Sequence, residues 1–436
     1  MGEAMPSVRI ESLAGLPRRK VEALRLGRVE AGKVWTLCRD LHLDARKSSS
    51  YWPKRDDLQK ATKGLFALHS QTVQMITHAF LANVETARQL RLKGNAKMRY
   101  PYKDKHYYPL MWPKQAVSLT TKTIILPMGR GRSSIVLPRP DWLTAPAACQ
   151  IVWNGIEDQL HIVVEGVAVT VPPGTNHATV DLGQIHQAAV VADNGKALIV
   201  SGRGIRSEKR GVNMMHGKVA KLQSKCTKGS RRHRKLGRTR RKLAARTERR
   251  IRDMRHKGTR QVIDFCVANE VGSVFIGNPH GVRRRPCGRK HNQRMSQWEY
   301  GKDITYLEQK AKKACISSFT GSERGTSSQC PECSARKKAK GRRWTCKSCG
   351  FSGHRELVGA ANMHPIAFGE KVAFPSLQDT TYQRPVRFGG LGSCSRSDTS
   401  RGKSPVAVFE LNGQAPDLSV TVAGTRPTQS AQRVQC

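Results

Sequence analysis

The chain has 436 residues, with 77 Lys and Arg against 32 Asp and Glu, a formal net charge of +45. At roughly 150 residues per domain that length allows two or three domains, while 38% apolar and 6% aromatic content is lean for one compact metabolic enzyme. Such an excess of cations repels itself and concentrates polyanions, so the expected partner is nucleic acid, ahead of an anionic membrane.

The longest apolar runs, such as Ile151 to Trp153 and Ile162 to Val164, fall far short of the ~20 residues that span a bilayer. The first thirty residues lack the apolar core and small-residue cleavage site of a signal peptide. A cytoplasmic protein with no membrane partner is expected.

Residues 1 to about 50 are punctuated by Gly and Pro and read as short strands or an extended arm. From Asp57 to Leu92 the pattern is helical, with Leu58, Leu65, Leu68, Val73, Ile76, Phe80, Val84 and Leu90 at three- and four-residue steps. Tyr100, Tyr102, Tyr107, Tyr108 and Trp112 then alternate with Arg99, Lys103, Lys105 and His106. Such interleaving suits base stacking with phosphate contacts, and equally a loop with buried tyrosines. Short β-rich runs follow at Lys122 to Leu126, Ser134 to Leu137, Cys149 to Trp153 and Leu160 to Val164, predicting a small antiparallel barrel or sheet.

A new domain opens after Pro172, Pro173 and Gly174. Thr179 to Leu182, Gln187 to Ala192 and Ala197 to Val200 read as three successive strands, the last two joined by Asn194-Gly195, a strong hairpin signal. Arg203 to Arg260 then carries 23 Lys or Arg against 3 acids, which is too basic for an isolated helix and predicts contact with a phosphate backbone. Val271 to Ile276 is a fourth strand, closed by Asn278-Pro279. Gln297 to Ala314 resumes a helical period through Trp298, Ile304, Leu307 and Ala311. The stretch beyond Phe368, rich in Ser, Thr, Gly and Pro, reads as a disordered tail.

Eight of the twelve cysteines are scattered, and four form Cys330-Pro-Glu-Cys333 and Cys346-Lys-Ser-Cys349, two C-x-x-C pairs twelve residues apart. Four thiolates at this spacing suit a tetrahedral zinc site with no open coordination position, hence a structural one. Lys337, Lys338, Lys340, Arg342 and Arg343 crowd the loop between the pairs beside Trp344 and make the ribbon a nucleic-acid contact as well. Asp181, within Thr179-Val-Asp-Leu-Gly183, puts an acid in an apolar strand. Such a charge is costly unless a hard cation balances it, although a lone strand-end Asp also serves as a cap or turn residue.

The order of these parts, with His354-Arg-Glu-Leu-Val-Gly-Ala-Ala-Asn362 after the ribbon, resembles the TnpB-like transposon-derived RNA-guided nucleases and the compact type V CRISPR effectors. The likeness covers about residues 60 to 370 and is most specific from Gln329 to Asn362. It implies an α/β multidomain protein: an RNase H-like RuvC domain with an inserted zinc ribbon, preceded by a β-barrel wedge domain with a helical recognition insertion. The boundaries it implies are 1–56 and 96–176 for the wedge, 57–95 for the recognition lobe, 177–329 for the RuvC-like domain with its basic helix at 203–260, 330–349 for the ribbon, 350–370 for the last RuvC segment and 371–436 for the tail. It further implies a guide RNA, target double-stranded DNA, structural Zn, catalytic Mg and a nucleoid-associated bacterial setting, with a homodimer on one RNA left open.

Carried over singly, the family's first acid falls on Asp181. Its second falls on Gly277, where the carboxylate is missing. Its third falls on Glu356, one methylene longer than the usual Asp. A replacement for the second is expected from the following helix, where Glu299 and Asp303 lie four apart and share a face, with Glu270 a weaker candidate. The resemblance sets Arg231, Arg232, Arg234, Lys235, Arg238, Arg240, Arg241, Lys242, Arg249 and Arg250 along guide RNA or heteroduplex. A second cluster, between the fourth strand and the next helix, comprises Arg283, Arg284, Arg285, Arg289 and Lys290. Three readings stay open: an RNA-guided Mg-dependent endonuclease with a rearranged RuvC site, the same targeting machine without cleavage acting as a transcription block, and a non-guided zinc-ribbon nucleic-acid-binding protein.

Overall fold

The computed structural model describes residues 6–166, 171–279, 288–337 and 341–385. A short strand, β1 (Ser7–Ser12), precedes a 30-residue helix, α1 (Arg18–Lys47). The helix replaces the extended arm expected from the sequence. Its inner stripe is Leu24, Gly27, Ala31, Val34, Trp35, Cys38 and Ala45, in which small residues mute the apolar period. The small residues serve close approach: a Cβ on Gly27 would lie 2.8 Å from Met128 Cε, and one on Gly32 would collide with the backbone carbonyls of Lys105 and His106.

The expected helical run from Asp57 is broken in two, α2 (Arg55–Thr62) and α3 (Ser70–Leu92). Asp57 accepts from the Lys54 N–H at 2.8 Å at the start of α2, and Leu65 falls in the connection, 65% exposed. Val73, Ile76, Phe80 and Val84 are buried as the period requires. Trp35 stacks on Tyr108 at 4.6 Å and meets Phe80 edge-on at 5.2 Å.

The β-rich region forms two antiparallel sheets. One has order β1-β7-β6-β2, from β2 (Leu110–Pro113), β6 (Ala148–Trp153) and β7 (Asp158–Val164); the other has order β3-β4-β5, from β3 (Ser118–Leu119), β4 (Thr123–Leu126) and β5 (Ile135–Pro138). Helices and sheets share one core, from Leu24 and Phe80 to Ile124 and Ile162.

The second half is built on a six-stranded sheet of order β12-β11-β8-β9-β10-β15. The strands β8 (Asn176–Asp181), β9 (His186–Ala192) and β10 (Ala197–Ser201) form an antiparallel meander that turns at Gly195, φ +81°. The basic stretch follows as a helical hairpin, α4 (Arg203–Ser224) and the 38-residue α5 (Arg231–Ala268). It is not an isolated helix: α4 packs along α5, and the last third of α5 inserts Val262, Ile263 and Cys266 into the sheet's core. Next come β11 (Val271–Asn278), α6 (Arg289–Gln297), α7 (Tyr300–Lys313) and β12 (Ser317–Ser322), with β11 parallel to both β8 and β12.

The ribbon strands β13 (Arg343–Thr345) and β14 (Ser352–His354) precede α8 (Arg355–Phe368). β9 is buried along its whole length, because α5 and α7 cover one face of the sheet and α8 the other, with Leu357, Ala360 and Met363 packed on Ala189, Val191 and Phe275. Of the tail expected to be disordered from 371, the described part, 371–385, carries β15 (Thr380–Gln383), parallel to β10, and 386–436 lie outside the described residues. The backbone of β10 offers an unfilled ladder there, and the Ala197 N–H donates to Asp379 O at 2.9 Å.

Candidate active site

Three strands and one helix bring acids together at one end of the large sheet. β8 ends on Asp181. Ile276 of β11 lies opposite Val180, so Gly277 comes next to Asp181. Gly277 in turn lies opposite Gly321 of β12, and the chain leaves β12 at Ser322 into Glu323. α8 carries Glu356 in its first turn.

Glycines make room for these groups. A Cβ on Gly277 would lie 2.7 Å from Glu323 Oε2, one on Gly183 would lie 3.3 Å from Glu356 Oε2, and one on Gly359 would collide with Asp181 Oδ2. The carboxyl of Glu323 therefore fills the space a side chain at position 277 would take. The Thr179 hydroxyl donates to Ala360 O at 2.8 Å and fixes β8 against α8.

All three carboxyls are harder to ionise than usual. Desolvation, then Glu323 and Glu356, push Asp181 well above the ordinary range, with Arg355 opposing. Glu323 is pushed up to about 7 by desolvation and by Glu356. Glu356 is raised by desolvation against the pull of Arg342 and Arg355. Glu323 Oε2 is buried without a hydrogen-bond partner among the described residues. An orphaned carboxylate oxygen that feels two further acids is donor chemistry that suits a hard divalent cation, whose charge would reverse the penalty. Arg342 Nη1 approaches Glu356 Oε1 at 3.4 Å, and the Tyr300 phenol, raised by burial and then by Glu323 and Asp181, faces the same charges.

The replacements expected for the second acid are committed elsewhere. Glu299 is not on the helix with Asp303; it precedes α7 as its N-cap. Its carboxylate meets Lys209 at 3.2 Å and Lys302 at 2.5 Å, and against the desolvation of partial burial these cations keep it below the usual range. Asp303 is buried against Arg255 and accepts from Gln187 Nε2 at 3.0 Å. Glu270 precedes β11, at the opposite end of the strand from Gly277, ~23 Å away at ~3.3 Å per residue. The acid the structure does bring to Asp181 is Glu323, which was missed because Ser317–Ser322 gives no apolar alternation from which to place a strand.

The four ribbon cysteines converge, with all Sγ atoms within 4.8 Å of one another. Cys330 and Cys349 are 3.7 Å apart and Cys333 and Cys346 are 3.5 Å apart. A tetrahedron with ~2.3 Å Zn–S bonds has edges of ~3.8 Å, so the donors fit zinc. Each pair is wrapped by a tight turn: Cys330 N–H donates to Ala335 O, Cys346 N–H to Phe351 O, and Ser334 and Gly350 adopt positive φ. Trp344 is buried against Cys330, Cys346 and Val358 of α8.

The cations from Arg231 to Lys242 are exposed on α5. Further along, Arg249 pairs with Glu157 at 2.5 Å and Arg250 with Glu208 at 3.5 Å. Lys337 and Arg343 are exposed on the ribbon. Arg283, Arg284, Arg285 and Lys338 lie outside the described residues. Tyr100 and Tyr102 stack on each other at 5.6 Å and pack on the N-terminal core, with Arg46 and Arg91 over Tyr100. Their ring faces are thus used within the protein.

Residues 161–283 match the family model described as a probable transposase, OrfB of IS605, and residues 300–363 match that of the Cas12f1-like TNB domain. The chain is thus similar to TnpB-like transposases and Cas12f1-like proteins. No curated protein matches significantly. Among solved structures, Cas12f1 in its complex with sgRNA and target DNA is similar at 14% identity and a TM-score of 0.57, over 80% of this chain and 83% of that one. The mini-RNA-guided endonuclease CRISPR-Cas_phi3 matches at 10% identity and a TM-score of 0.47, over 86% and 94%. The mixed α/β fold is the one shared with Cas12f1. Among the described residues no helix is long and apolar enough to cross a membrane.

Proposed function

We propose that this protein is an RNA-guided DNA endonuclease. It carries a structured guide RNA, recognises a short duplex motif, and hydrolyses matched DNA at Asp181, Glu323 and Glu356 with Mg. In this reading the six-stranded sheet is the RNase H-like RuvC domain, the two N-terminal sheets form the wedge, α1 to α3 belong to the recognition lobe, and the four cysteines hold the ribbon's structural zinc. The observation that carries it is the carboxyl of Glu323 over Gly277, which supplies a second acid where the strand lacks one. Similarity to Cas12f1, solved with sgRNA and target DNA, supports the partners, as does the exposed cationic face of α5.

Mg ions in such a site polarise the phosphate and lower the pKa of a bound water. Asp181, Glu323 and Glu356 would hold them, each from a different backbone element, so the sheet and α8 fix the donors before substrate arrives. Arg342 presents a guanidinium beside Glu356, where it can meet the charge of a phosphate oxygen. The exposed Arg and Lys of α5 hold a duplex by its backbone and leave sequence to base pairing.

The test is cutting of a matched plasmid by the protein with its RNA in Mg buffer, for the wild type and for Asp181→Ala, Glu323→Gln and Glu299→Ala. Loss in the first two variants with retention in the third supports the assignment. Tight binding of matched DNA by the wild type without cutting would make the protein a programmable block instead.

A further inference from the structure

A cleft borders two of the segments that carry the acids, the chain after Glu323 and α8. About 260 Å³ in volume, it is bounded by the turn after Glu323, the first cysteine knuckle, the second half of α8 and the chain just after it. Three cations line it from three separate segments: Arg324, Arg336 and Lys371. All three are exposed, and none has a salt bridge among the described residues. Lys371 Nζ donates to a backbone carbonyl, Glu332 O, at 3.4 Å, so among the described residues no carboxylate pairs with any of the three.

Pro365, Ile366 and Val372 give the cleft an apolar lining as well, with Ile366 60% exposed. Pro365 sits inside α8 and has no N–H to return to the carbonyl of Ala361, another lining residue. The floor is rigid: the Asn362 amide donates to Thr326 O at 2.8 Å and Gln329 O at 2.7 Å.

We propose that this cleft is a single-nucleotide subsite for the strand being cut, with a backbone phosphate among Arg324, Arg336 and Lys371 and the sugar and base edge against Pro365, Ile366 and Val372. The chemistry selects this occupant. Three cations lining one cleft call for a phosphate, the apolar lining for the nucleoside attached to it, and the volume lies below the ~300–1,000 Å³ of drug-sized pockets, so a duplex is excluded. The position fits as well. Arg324 directly follows Glu323, and Asn362 is six residues along α8 from Glu356, a rise of ~9 Å at 1.5 Å per residue. At ~3.4 Å per stacked nucleotide, a strand with its scissile phosphate at the acids reaches the cleft within about three nucleotides. The subsite would hold that strand single and set its direction through the acids.

This inference rests on the nuclease reading, and its test does not need cutting. The full-length protein is mixed, without divalent cation, with thymidine oligonucleotides carrying one photoreactive base, irradiated, and its crosslinked peptides are mapped. Crosslinks to Pro365–Val372 or to the knuckle around Arg336, reduced at least tenfold in Arg324→Ala/Arg336→Ala/Lys371→Ala, are expected. Crosslinks confined to other surfaces, or unchanged in the triple variant at equal zinc content, overturn the subsite. Where cutting is observed, a methylphosphonate placed one to three nucleotides from the cut should slow the wild type about tenfold and leave the triple variant's rate unaltered, and equal slowing of both overturns it too. An intact plasmid with the crosslinks present would refute the nuclease reading alone.

Discussion

Replacing Glu323 by Gln should stabilise the metal-free protein while abolishing its cutting. Glu323 is half-buried, with its Oε2 out of solvent, near two other carboxyls, and its pKa rises from 4.5 to about 7. A carboxyl raised in the folded state contributes stability that is fully present below about pH 4.5 and lost as pH rises through about 7. At ~1.36 kcal/mol per unit, holding this group ionised at pH 8 costs about 3 kcal/mol, an upper figure because the site can relax. The neutral amide removes that cost. For a domain of this size ~1 kcal/mol corresponds to roughly 2–4 °C, so the gain in Tm at pH 8 should be as much as roughly 6–12 °C, shrinking to nothing near pH 4.5. Thermal unfolding in chelator from pH 4.5 to 8 measures this gap. Added Mg should raise the Tm of the wild type and leave that of the variant unmoved. A gap that does not change with pH, or a variant less stable than wild type at pH 8, would refute the placement of Glu323 in a crowded acid cluster, and retained cutting would refute its role.

Gly277→Glu alone should destabilise the protein and fail to restore any activity lost elsewhere, because its Cβ meets Glu323 Oε2 at 2.7 Å; the double variant Gly277→Glu/Glu323→Gly should cut better than Glu323→Gly, as read from plasmid nicking. Asp303→Asn should cost about 3 kcal/mol in stability by leaving the buried Arg255 with the part-exposed Glu299, 3.7 Å away, as its remaining acidic partner among the described residues, seen as a drop in Tm that persists in the presence of Mg. Glu299→Ala, which removes a part-exposed partner of Lys209 and Lys302 and a longer contact to Arg255 that still keeps Asp303, should change stability by about 1 kcal/mol and leave the cutting rate within about twofold. Zinc extraction with a strong chelator should quench or shift Trp344 fluorescence and abolish cutting, with recovery on adding zinc back.

The readings that the structure supports directly were those where spacing alone carries the chemistry: the two cysteine pairs, the Asn194-Gly195 hairpin and the strand ending on Asp181. The second acid was not legible at its own position. Glu323 follows a strand of Ser, Thr and Gly around a single Phe319, mostly exposed along its length, so neither alternation nor β-branched content marks it. Register across β11 and β12 brings it to the site, and register is a tertiary property. Glu299 and Asp303 looked well placed because four-residue spacing suggests one helical face, yet the helix begins only after Glu299 and the Arg255 side chain takes Asp303. In α1 the same blindness has another cause: glycines and alanines form the contact face, so the period is carried by size and not by apolarity.

Position 277 and the carboxyl of Glu323 claim one volume. A descendant or ancestor with an acid at each place would be overcrowded, and one with neither would lack a donor, so passage between the two layouts requires a costly intermediate. Lineages should therefore be sorted cleanly into one arrangement or the other, with glycine or another very small residue at 277 as the marker of this one. On the proposed function, a survey that scores nucleases by the acid at the end of the fourth strand would count such chains as dead.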